Sequence, residues 1–186
     1  MAVPVTKMTL DEYMAWERTQ PQRNEFHRGE VFAMTGGRRG HYQVIVNLVS
    51  ELRGRLRGTP CKVFGEGMKV QIGADTVLYP DVFVTCDGEY SSYDTVIRDP
   101  LLVIEVLSPS TMAYDSGRKF TLYRGLPTLR EYVLIDPDHR TVQGFRRRAQ
   151  DEWVLHDMSE GDRLELLCID AVVPFAELFD SVDPEI

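Results

Sequence analysis

The segment Leu101–Leu107 reads Leu-Leu-Val-Ile-Glu-Val-Leu, an aliphatic run broken by one carboxylate. It shows no alternation of apolar and polar positions, so neither face of such a strand is meant for water. A strand of this kind lies inside a sheet whose two faces are both covered. Ser108-Pro109-Ser110 ends it, because proline brings no N–H to a ladder. Glu131–Ile135 (Glu-Tyr-Val-Leu-Ile) is a second run of the same kind. Strands buried on both sides need helices or a second sheet over them, and the fold class expected is α/β (α+β).

The remaining pattern supplies those covering elements. Thr9-Leu10-Asp11-Glu12 has the form of a capping box, which predicts a short helix over Thr9–Arg18. Glu25–Met34 reads as two short strands around a turn at Arg28-Gly29, and Gly36–Gly40 as a loop. Ile45, Leu48/Val49, Leu52 and Leu56 recur at spacings of three and four. That period predicts a long amphipathic helix from about His41 to Arg57, stopped by Gly58-Thr59-Pro60. Strands are expected at 62–64, 68–72 and 77–85, followed by a turn-rich stretch to Pro100. Tyr114–Arg124 reads as helix, Thr141–Arg146 with Glu152–His156 as a hairpin, 163–167 as a strand, and Pro174–Phe179 as a last short helix. No repeat or linker interrupts the pattern. With 186 residues against roughly 150 per domain, one domain spanning 1–186 is expected.

The formal charge of −8 is unevenly spread. Residues 149–186 hold eleven acidic side chains and a single basic one, Arg163, leaving 20 basic against 18 acidic side chains before them. This balance excludes a polyanion binder that uses its whole surface, since phosphate contacts need clustered cations. Local basic faces remain at Arg38-Arg39, Arg53/Arg55/Arg57 and Arg146-Arg147-Arg148, each of which, taken singly, reads as a solvated face. Cys61, Cys86 and Cys168 are far apart and form no CxxC pair, so neither a disulfide framework nor a zinc site is expected. A reducing, cytoplasmic location fits that usage. The first residues lack the pattern of a signal peptide, and no apolar stretch approaches the ~20 residues that span a bilayer. No membrane partner is expected.

Two carboxylates stand where the apolar pattern has no room for them. Asp81 sits in Val77-Leu78-Tyr79-Pro80-Asp81-Val82-Phe83-Val84, and Glu105 in the apolar run Leu101–Leu107. Burying an ionised carboxylate costs several kcal/mol unless it is paired, hydrogen-bonded or metal-bound. One explanation is a structural buried salt bridge. The other is a hard-cation site, in which two neighbouring strands offer oxygen ligands to Mg²⁺ or Mn²⁺. Asp115, Lys119 and Tyr123 follow at spacings of four and share one helical face. They form either a surface ion pair with an edge tyrosine or the cationic part of the same site.

Pro80-Asp81, Glu105-Val106-Leu107-Ser108-Pro109-Ser110-Thr111, Asp115…Lys119…Tyr123 and Glu131-Tyr132-Val133-Leu134-Ile135-Asp136 together resemble the Uma-two family, a restriction-endonuclease-like group of the PD-(D/E)XK nuclease superfamily. Glu25, Gly29-Glu30 and His41 match the same pattern, so the resemblance covers about Met8–Phe179. It implies a restriction-endonuclease-like fold, a central mixed β-sheet flanked by helices with additional β-hairpins. It also implies metal-dependent hydrolysis of DNA phosphodiester bonds. Asp81 and Glu105 would bind Mg²⁺, with Mn²⁺ as a substitute, and Glu25 would be a third acid. The superfamily places a lysine two residues after the glutamate, where this chain has Leu107. In the Uma-two group that lysine moves to the following helix, and Lys119 fits, completing the catalytic set Asp81, Glu105 and Lys119. His41, Asp115 and Tyr123 would support it. Arg38, Arg39, Arg53 and Arg57 would contact the DNA backbone, and a homodimer would present two sites to two strands.

The alternative is a nuclease-fold module that binds nucleic acid or a protein partner without cleavage, if Lys119 is only a surface residue. RNA as the substrate is a third reading. Other chemistries lack their signatures: the four histidines show no HxH or HExxH spacing, Ser108 and Ser110 no GxSxG elbow, and Gly36–Gly40 no phosphate-loop Gly-Lys-Ser/Thr.

Overall fold

A computed structural model describes residues 7–86, 89–109, 112, 114–159 and 161–184. The chain opens with helix α1 (Leu10–Glu17), strands β1 (Asn24–His27) and β2 (Glu30–Ala33), and the long helix α2 (Arg39–Arg55). Strands β3 (Lys62–Gly65), β4 (Lys69–Ile72), β5 (Thr76–Leu78), β6 (Val82–Thr85), β7 (Val96–Ile97) and β8 (Leu102–Val106) follow. A wide-turned π-helical stretch, Tyr114–Lys119, runs into α3 (Phe120–Tyr123). The rest is β9 (Glu131–Asp136), β10 (Thr141–Arg147), β11 (Trp153–Asp157), β12 (Arg163–Leu166), β13 (Ala171–Pro174) and α4 (Phe175–Leu178).

The larger sheet has the order β11-β10-β9-β8-β6-β3 and the smaller β2-β1-β5-β4-β7, with β12 and β13 as a separate hairpin. The apolar run puts β8 between β6, which it pairs antiparallel, and β9, which it pairs parallel, with all five of its residues buried. Alternation along β8 then sorts its side chains. Leu102, Ile104 and Val106 join Val44, Leu48 and Leu52 of α2 in one core, while Val103 packs with Tyr123, Leu129 and Tyr132 in the other. The sheet is mixed and carries helices on both faces, the restriction-endonuclease-like arrangement that the resemblance implied.

Local chemistry explains most element boundaries. Thr9 and Glu12 close both halves of the predicted capping box at the start of α1. The expected strand 77–85 is in fact two strands in two different sheets, β5 and β6. Pro80 cannot donate to a ladder, and the chain uses the interruption Tyr79-Pro80-Asp81 to cross from the smaller sheet to the larger. The helix expected over Tyr114–Arg124 forms with its first part underwound into the π stretch. Strand β13 was not foreseen. Its alternating burial is only four residues long and merges with the helix signal that follows it. Ser110 of the strand-ending motif and Thr111 of the motif that carries the resemblance lie outside the described residues.

The expectation of no disulfide is corrected. Cys61 and Cys86 are disulfide-bonded, and Cys168 is free. The cause is register: β3 pairs antiparallel with β6 through Lys62↔Thr85, so the next position outward sets Cys61 against Cys86. Sequence distance hid that pairing. Among the described residues, no helix is long and apolar enough to cross a membrane.

Candidate active site

The same register logic assembles the acids. The pairing Val82↔Ile104 continued by one residue sets Asp81 opposite Glu105, at the point where the two sheets meet. The Val106 N–H donates to Asp81 Oδ2 at 2.7 Å, and the Asp81 N–H donates to Glu105 Oε2 at 3.4 Å. From the smaller sheet, β1 adds Glu25, whose Oε1 accepts the Tyr79 N–H at 3.2 Å. Tyr79 is itself tied back, because its hydroxyl donates to the buried Glu17 of α1 at 2.9 Å. The link Glu17–Tyr79–Glu25 thus holds the sheet crossing in place.

Lys119 comes in from the π stretch and meets three of the carboxylates. Its Nζ lies 3.2 Å from Glu105 Oε1, 3.3 Å from Glu25 Oε1 and 3.3 Å from Asp115 Oδ1. Lys119 is 6% exposed and Glu105 1%, so the reading of a surface ion pair is overturned. Residues four apart stay on one face of the wide-turned helix, and that face is turned into the protein. Tyr132 from β9 donates its hydroxyl to the Asp115 carbonyl at 2.8 Å. Tyr123 is fully buried beneath the cluster, its ring 5.7 Å from that of Tyr132.

Four carboxylates around one ammonium leave an excess of negative charge, and the electrostatics reflect it. Burial pushes the Glu105 carboxyl well above the usual carboxylate range; Lys119 opposes the shift, while Asp81, Asp115 and Glu25 add to it. Desolvation works against the Lys119 ammonium, yet Glu105, Glu25 and Asp115 outweigh it and hold that ammonium charged well above its ordinary value. His41, from the first turn of α2, adds Nε2 3.6 Å from Asp81 Oδ1. Desolvation disfavours its protonated ring, but Asp81 and Glu66 more than compensate, and its pKa is raised.

These groups line one cleft of about 240 Å³. Phe32 and Met34 form an apolar side of it, and Arg118 lies over the Phe32 ring with its guanidinium carbon 5.1 Å from the centroid. The donor set is oxygen-rich and over-supplied with negative charge, the chemistry that a hard divalent cation balances. Glu66 at the cleft was missed from sequence, although a lone carboxylate between Gly65 and Gly67 was the available signal.

The arginines are distributed differently from the acids. Arg38 reaches Asp138 at 3.5 Å, and Arg39 donates to the Ser181 carbonyl at 3.0 Å, so both tie the start of α2 to neighbouring loops. Arg53, in the last turn of α2, and Arg57, just past that helix, lie beside Lys62 on a separate depression. At 1.5 Å per residue Arg53 is roughly 18 Å along the helix from His41. Arg146 is held by Glu131 at 2.8 Å, and Arg147 donates to the carbonyls of Leu126 and Leu129, so neither belongs to a free basic face.

A crystal structure described as "a putative nuclease belonging to DUF820" from Anabaena variabilis shares the fold. It aligns with a TM-score of 0.73 at 20% identity, over 92% of this chain and 97% of that one. Two curated proteins of Synechocystis sp. are similar in sequence. "Uncharacterized protein slr1290" is 35% identical over 169 residues, covering 90% of this chain and 89% of its own length. "Uncharacterized protein sll1609" is 29% identical over 170 residues, covering 89% and 96%. The family model described as "Uma2: Putative restriction endonuclease" matches residues 10–173, a span that takes in Glu25, His41, Asp81, Glu105 and Lys119. The chain belongs to the Uma2 family.

Proposed function

We propose that the chain is a divalent-metal-dependent endonuclease that hydrolyses DNA phosphodiester bonds. The observation that carries this reading is the arrival of the Lys119 ammonium 3.2 Å from Glu105, with Asp81 set opposite Glu105 by strand register. The ammonium missing at Leu107 is thereby supplied from the next element, which removes the main ground for a non-cleaving module. Asp81, Glu105 and Glu25 would hold Mg²⁺ or Mn²⁺. When bound, such an ion stabilises charge on the scissile phosphate and acidifies a water. Lys119 keeps its proton throughout the neutral range and offers positive charge to the developing pentacoordinate phosphate. The Val106 N–H fixes Asp81, and the hydrogen bond from Tyr79 fixes Glu25, so the acids need little rearrangement. Exposed Arg118 at the rim attracts the polyanion by a salt-dependent contact.

Incubation of the intact chain with supercoiled plasmid tests this reading. Nicked or linear product is expected with Mg²⁺ or Mn²⁺ and none with EDTA. Retardation of DNA without cleavage under every metal would contradict it in favour of the binding module.

A further inference from the structure

Lys119 pairs with Glu25, Glu105 and Asp115, whereas Asp81 has a different partner, the imidazole of His41. One donor atom each from His41, Glu66 and Asp81 lies within 4.8 Å of the others. Three ligands spread evenly around one ion at about 2.1 Å lie about 3.6 Å apart, the spacing that His41 Nε2 and Asp81 Oδ1 already have, so the closure of up to about 1.2 Å falls on Glu66. Glu66 is exposed and can supply that shift, while the other two are held.

The imidazole is closed in on the protein side by packing. His41 is 8% exposed, and its Nδ1 makes no hydrogen bond among the described residues. A Cβ at Gly37 would stand 2.6 Å from His41 Cδ2, so the loop approaches the ring as closely as only glycine permits. Nε2 then points at Asp81 from 3.6 Å, beyond a good hydrogen bond. Glu66 is brought to the same place by the turn between β3 and β4. Gly67 adopts φ +105° there, a conformation that L side chains rarely take.

We infer that His41, Glu66 and Asp81 bind one divalent cation together, and that the imidazole makes this site prefer a first-row transition-metal ion, probed as Mn²⁺, over Mg²⁺. Imidazole nitrogen suits first-row transition ions, whereas Mg²⁺ favours an all-oxygen shell and keeps its waters. Two carboxylates and a neutral imidazole balance the charge of such an ion. The inference rests on the reading that a cation sits at Asp81, and adds to it a nitrogen ligand and a selectivity.

Electron spin-echo spectroscopy and calorimetry of Mn²⁺ bound to the intact chain test it without reference to cleavage. The wild type is expected to show modulation from a directly bound ¹⁴N and to bind Mn²⁺ at least about tenfold more tightly than Mg²⁺. His41→Gln should abolish the ¹⁴N signal and narrow the Mn²⁺/Mg²⁺ ratio. Glu66→Gln, on an exposed turn where folding is safe, should weaken Mn²⁺ at least about tenfold. Bound Mn²⁺ without ¹⁴N coupling, or Glu66→Gln binding as the wild type does, would overturn this inference and leave the nuclease reading intact. No Mn²⁺ bound by the wild type, with or without DNA, would overturn both.

Discussion

Replacing Lys119 with methionine is expected to destabilise the protein by about 3–5 kcal/mol at pH 8, measured by urea unfolding, and to abolish cleavage. Glu25, Glu105 and Asp115 would then face one another in a buried site without the ammonium that lies within 3.3 Å of each. The loss has a pH signature. With the cation gone, nothing opposes the burial that raises Glu105, so the folded variant holds that proton more tightly than the unfolded chain does. Its stability therefore rises as pH falls toward 5, and the gap to the wild type narrows. In the wild type, the Lys119 pKa is raised on folding, so its contribution is fully present below the unfolded value of 10.5 and is lost only above it. A loss under about 1 kcal/mol at pH 8, the range of exposed pairs, would contradict a buried cage.

Glu105→Gln separates chemistry from stability. The amide keeps the shape of the side chain but removes a charge from a cluster that already has too many. Cleavage is expected to fall about 10²–10³-fold, the range seen when one electrostatic contributor to a transition state is removed. The melting temperature should stay level or rise. Because the Glu105 pKa is raised on folding, its ionisation erodes wild-type stability as pH climbs above the unfolded value of 4.5, and the variant should lose that part of the slope. A variant that melts early and cleaves normally would mean that Glu105 serves the fold and not the reaction.

The sequence made the acids legible because both violate an apolar pattern. Glu105 interrupts β8, and Asp81 follows the proline at which the chain changes sheets, so each carries a cost that calls for a partner. The partners were harder to read. Nothing local says that Lys119 is buried, since i,i+4 spacing with Asp115 fits a solvated helix as well; the partners that accompany its burial, Glu25 of β1 and Glu105 of β8, are distant in sequence. Spacing left Lys119 between a surface pair and a site cation, and family resemblance chose the second; Glu25 was marked by resemblance alone. The Cys61–Cys86 bond and the break at Tyr79-Pro80-Asp81 depend on strand register, which a single sequence encodes weakly. Glu66 looked like a turn residue, and only the β3–β4 geometry brings it to His41. The intramolecular partners of Arg38 and Arg39, Asp138 and the Ser181 carbonyl, could not be read either, because they lie 100 or more residues away.

Calorimetric titration of Mg²⁺ and Mn²⁺ into the wild type and into Asp81→Ala/Glu105→Ala, each with and without DNA, tests the central claim that the opposed carboxylates form a cation site. Saturable binding by the wild type and its loss in the double variant are expected. Equal binding by the two proteins, or none by the wild type even with DNA present, would contradict it.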